Sequence, residues 1–80
     1  MTETLSNFLA ELPCNARIEI YIEDDGLDYS VYEGINLNLP VELLMHYGYA
    51  EIEVYDEYGN KIEGGCGNTN LSIYIKNCLN

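Results

Sequence analysis

The sequence predicts a small α+β domain: a four- or five-stranded antiparallel sheet with two short helices, in the order α-β-β-α-β-(β)-β, with one sheet face open to solvent and acidic. Three observations lead there. Apolar residues recur at helical spacing in one short stretch, they alternate with polar residues in at least three others, and the chain is 48% hydrophobic with eight Tyr despite a formal net charge of -11. Disordered acidic tails lack that apolar content and that periodicity, so this chain folds and carries its charge on a rigid surface. Eighty residues make a single domain with one thin core, spanning 1–80.

Leu5, Phe8, Leu9 and Leu12 follow the i, i+3, i+4, i+7 spacing of one helical face, Thr2 or Thr4 can cap the start, and Pro13 stops the run. This places the first helix over residues 4–12. The period then changes to two: Ile18, Ile20 and Ile22 line one side of a strand over 17–23, and Arg17, Glu19, Tyr21 and Glu23 line the other. Asp24, Asp25 and Gly26 supply a turn, after which a short antiparallel strand runs over 29–32 and Gly34 ends it. Pro40 suits the first turn of a second helix over 40–47, Glu42 complements its dipole, and Gly48 fits a left-handed residue just past its end. Glu51, Glu53 and Tyr55 alternate with Ile52 and Val54 in a third strand. A hairpin turn at Tyr58, Gly59, Asn60 and Lys61 and a glycine-rich loop at 64–68 follow. Leu71, Ile73 and Ile75 then form the inner face of a last strand that carries Ser72, Tyr74 and Lys76 outside.

Aligned side by side, the strands gather Glu19, Tyr21, Glu23, Glu51, Glu53, Tyr55 and Tyr74 on the wet face, with Asp24 and Asp25 at the adjoining turn and Arg17 and Lys76 as the local cations. Outward residues lie ~6.7 Å apart along a strand and ~4.8 Å across strands, while duplex DNA presents a phosphate every ~3.4 Å along each strand. A rigid array of carboxylates at that density can compete with nucleic acid for a groove of Lys and Arg, without the ordering entropy of a flexible tail. Tyr adds a ring that packs on a partner while its hydroxyl stays wet. The plainer account is that alternating Glu serves solubility and suits any amphipathic strand.

Three basic residues and a sequence pI near 4.1 exclude direct nucleic-acid binding and point to a basic protein partner. No basic segment precedes an apolar core of signal-peptide type and no apolar run approaches the length of a membrane span, so the expected location is the cytoplasm. Cys14, Cys66 and Cys78 fit neither a CxxC pair nor a zinc set and read as reduced thiols. Glu23, Asp24, Asp25 and Asp28 do not follow the EF-hand register and read as a polar turn. The glycines at 64, 65 and 67 lack the Lys and Ser/Thr of a phosphate loop, and His46 has no nucleophile near it in sequence. The chain is expected not to be an enzyme and to need no cofactor or metal.

The size, the acidity and the Glu/Tyr-rich outer faces at Arg17, Glu19, Tyr21 and Glu23 and at Glu51, Glu53 and Tyr55 resemble the small acidic proteins of phages and mobile elements, among them the DNA-mimic anti-CRISPR proteins. The resemblance is one of character over the whole chain. That class has no common sequence motif, so no binding residue is carried over from it. It implies an inhibitor in a bacterial host that occupies the DNA-binding surface of a CRISPR effector complex and blocks target DNA binding without chemistry of its own. The alternative is a small interaction or regulatory module, monomeric or dimeric, that uses a strand edge or the apolar rim of the second helix at Leu43, Leu44 or Met45.

Overall fold

A computed structural model describes residues 3–62 and 70–76. The elements are α1 (Leu5–Glu11), β1 (Arg17–Asp24), β2 (Leu27–Ile35), a 3-10 turn (Asn36–Asn38), α2 (Val41–Tyr47), β3 (Ile52–Tyr55), β4 (Lys61–Ile62) and β5 (Leu71–Ile75). The five strands form one sheet in the order β2-β1-β5-β3-β4. The α+β class, the element order and the wet outer face are those expected from the sequence. The sheet is mixed, because β5 inserts between β1 and β3: it runs antiparallel to β3 and parallel to β1, while β1–β2 and β3–β4 are antiparallel. Its central place explains why Leu71, Ile73 and Ile75 are all buried.

Helix α1 covers the inner face. Leu5, Phe8 and Leu9 are buried along one side of it, with Leu12 just beyond, and they pack with Ile18, Ile20, Ile52, Val54, Leu71, Ile73 and Ile75 into one core. No polar or charged side chain among the described residues is buried there. Thr4 caps the helix, its Oγ1 accepting the Asn7 N–H at 3.2 Å. Two further N-terminal N–H groups donate across the fold, Leu5 to the Ala50 carbonyl and Ser6 to that of Gly48. At the other end the Asn36 side-chain amide donates to the Leu9 carbonyl at 3.1 Å. Both helix ends are thus tied to distant segments, which is how a seven-residue helix holds its place on the sheet.

Asp25 and Gly26 both take positive φ, the conformation of a two-residue type I′ turn, and join β1 to β2. Strand β2 is longer than expected. Gly34 does not end it: it pairs with Ile18, and the ring of Tyr32 folds over it, so that a Cβ at Gly34 would lie 2.7 Å from the Tyr32 hydroxyl, which donates to the Ile35 carbonyl at 2.7 Å. The strand also holds a bulge. Ile20 pairs with Tyr32 but Tyr21 pairs with Ser30, leaving Val31 as the extra residue, packed against the core.

Pro40 is the residue before α2 and not its first turn, and Gly48 is right-handed (φ -57, ψ -32), correcting the expected left-handed stop. Close approach makes glycine necessary here, since a Cβ would collide with the Leu44 carbonyl oxygen. The β3–β4 hairpin is organised by Asp56, whose Oδ1 accepts the N–H groups of Tyr58 (2.9 Å) and Asn60 (2.8 Å), with Gly59 at positive φ. The expected loop at 64–68 lies outside the described residues.

Candidate functional site

The outer face follows from strand register. In one row, Glu33 of β2 pairs with Glu19 of β1, then come Ser72, Tyr55 and Lys61. The next row runs Ser30, Tyr21, Tyr74, Glu53, and a third brings Asp28 beside Glu23. Lys76 follows β5 alongside, and its backbone N–H donates to the Glu51 carbonyl at 2.7 Å. Along β1, β3 and β5 the burial of Ile18, Ile20, Ile73, Val54 and their neighbours aims the alternate side chains outward, whereas on β2 Val31 and Tyr32 pack against the core and Asp28 lies between the exposed Leu27 and Tyr29.

Tyrosines form the middle of the face. The rings of Tyr21 and Tyr74 stack at 4.9 Å and 11°, and Tyr55 meets Tyr74 edge-on at 5.6 Å and 85°. Such cross-strand aromatic contacts stiffen the sheet. The phenols lean on the carboxylates. Tyr55 donates to Glu53 Oε1 at 3.2 Å, and a hydrogen bond to Glu19, with partial desolvation and repulsion from the same carboxylate, pushes the Tyr21 phenol up to about 12. An open trough of about 530 Å³ lies beside Tyr74, lined by Glu23, Asp28, Glu53, Tyr55 and Lys76.

The chain's three cations, Arg17, Lys61 and Lys76, all belong to this face. Lys76 Nζ bridges Glu53 (3.7 Å) and Glu23 (3.9 Å), and Lys61 reaches the other Glu53 oxygen at 3.8 Å. These pairs are part-exposed and individually weak. Their role is to hold Glu23 of β1 and Glu53 of β3 in place on either side of β5 and to offset some of their mutual repulsion.

Of the residues expected on the face, Glu19, Tyr21, Glu23, Glu53, Tyr55 and Tyr74 are brought together, with Glu51 at its border before β3. Asp24 and Asp25 are not. They lie at the tip of the β1–β2 turn, Asp24 on the opposite side of the strand from Glu23 and Asp25 in the left-handed region. Sequence reasoning missed Asp28, Glu33 and Lys61. The bulge explains the first two, since the extra residue Val31 lets Asp28, Ser30 and Glu33 face the same way although their spacing breaks the period of two.

The remaining candidates are placed elsewhere. His46 is exposed on α2 with its ring edge-on to Tyr47 at 4.5 Å, and Cys14 is an exposed free thiol, while Cys66 and Cys78 lie outside the described residues. No described helix is long and apolar enough to cross a membrane. No protein-family model, curated protein or solved structure matches the chain.

Proposed function

We propose that this chain is a non-enzymatic inhibitor that lays its acidic sheet face on the nucleic-acid-binding surface of a basic protein, with a CRISPR effector complex as the leading target, and so blocks target DNA binding. The observation that supports this reading most is the single rigid surface shared by Glu19, Glu23, Asp28, Glu33 and Glu53 with a stacked tyrosine pair at its centre. Arginine matches both features: its guanidinium takes carboxylates through paired hydrogen bonds and stacks on aromatic faces. Sheet geometry fixes the spacing beforehand, so little ordering is needed on binding.

Charge reversal tests it. Glu19, Glu23, Glu51 and Glu53 replaced together by Lys, with the fold checked by circular dichroism, abolishes binding to the basic partner, and the wild-type complex weakens steeply with added salt. Unchanged affinity in the folded variant overturns the reading.

A further inference from the structure

On the helical side of the molecule the surface changes character. Residues 34–50 contain a single carboxylate, Glu42, in a chain that has fourteen. Within that stretch Val41, Leu44 and Met45, at i, i+3 and i+4 of α2, are exposed (65%, 37% and 80%), as are Leu37 before the helix (68%) and Tyr49 after it (94%). The other side of α2 turns inward, with Tyr47 and Leu39 against the core, yet no α2 residue is fully buried. Apolar residues of α2 thus face both the core and solvent, and seven residues are too few to hold a helix by propensity alone. The chain supplies the interior on one side only.

We infer that α2 and its flanks form a homodimer interface, and that the occupant of this apolar surface is a second copy of the chain. Charge selects that occupant's approach. Two molecules of net charge -11 repel through their sheet faces, whereas the stretch around α2 brings together the least charged parts of both. Area agrees: the exposed fractions of these five residues sum to roughly 700 Å², of the order of the ~800 Å² per partner of a standard stable interface. Because α2 packs beside α1 on the inner side of the sheet, the dimer turns its two acidic faces outward and leaves both available. The inference is independent of the proposed target.

The two associations respond to salt with opposite sign. Screening weakens attachment to a basic partner but strengthens pairing of two like-charged chains through an apolar surface. Sedimentation of the full chain from micromolar to near-millimolar concentration is expected to show the mass rising from 9.1 kDa toward twice that value, at lower concentration in high salt than in low. The double variant Val41→Glu, Met45→Glu is expected to weaken dimerisation by roughly tenfold or more while keeping its far-ultraviolet circular dichroism. A mass that stays at one chain throughout, even in high salt, overturns the inference, as does a folded double variant that dimerises like the wild type. Should that variant fail to fold, dilution of the wild type followed by NMR decides: shifts confined to Leu37, Val41, Leu44, Met45 and Tyr49 support the interface, and shifts on the sheet face or none at all overturn it.

Discussion

Lys76 holds two carboxylates, Glu23 and Glu53, that would otherwise repel across the centre of the face. Replacing it with Met separates stability from recognition. The part-exposed pairs contribute less than about 1 kcal/mol, so the thermal midpoint falls slightly, while affinity for a basic partner rises because the face gains net negative charge. Calorimetry of the free protein and of the complex measures both directions. Tyr21 gives a pH signature. Its phenol is pushed up to about 12 from the ordinary 10, chiefly by the hydrogen bond to Glu19, so the folded state keeps that proton longer than the unfolded chain does. The stability it contributes is complete below pH 10 and is lost as pH climbs through about 12. Glu19→Gln returns the phenol toward its ordinary value and flattens stability across that window, as NMR of labelled tyrosine rings will show.

At the scale of elements, the face depends on what β2 does at its bulge and at its glycine. Gly34→Ala drives a Cβ into the Tyr32 hydroxyl and breaks its bond to the Ile35 carbonyl, an overpacking cost of about 1–3 kcal/mol that denaturant unfolding measures. Asp56 orders the β3–β4 hairpin, and the Asn60 backbone N–H, with those of Tyr58 and Gly59, holds its carboxyl below the ordinary value. That contribution is present above the ordinary carboxylate pKa and lost as pH falls through the lower folded one, so the hairpin amides lose protection relative to their intrinsic exchange rates in acid. The same elements show how far the sequence could be read. The strict alternation of β1, β3 and β5 is enforced by burial of every second residue, and it made their inner and outer faces legible. Strand β2 hid Asp28 and Glu33 because a bulge is a matter of strand pairing and leaves no period in the residues themselves. The parallel β1–β5 pair was hidden for a related reason: which strands become neighbours is decided by long-range packing.

The whole molecule is two-sided, with an acidic, tyrosine-ridged sheet face on one side and, on the other, a helical side where residues 34–50 carry Glu42 alone of the chain's carboxylates. One core of apolar side chains joins them, and Ile20 and Ile73 are both fully buried in it. Truncating either to Ala costs ~2–5 kcal/mol, a large share of the stability of any small domain, and should broaden or abolish the thermal transition. Whether the acidic face occupies a nucleic-acid-binding surface is decided by a pull-down with the tagged chain from cells carrying CRISPR systems. The bound proteins are challenged with duplex DNA, eluted in rising salt and identified by mass spectrometry. The expected catch is a basic nucleic-acid-binding protein that DNA displaces and moderate salt releases, and that the fourfold charge-reversed chain fails to capture. A partner retained equally by both chains and indifferent to DNA and salt would contradict it.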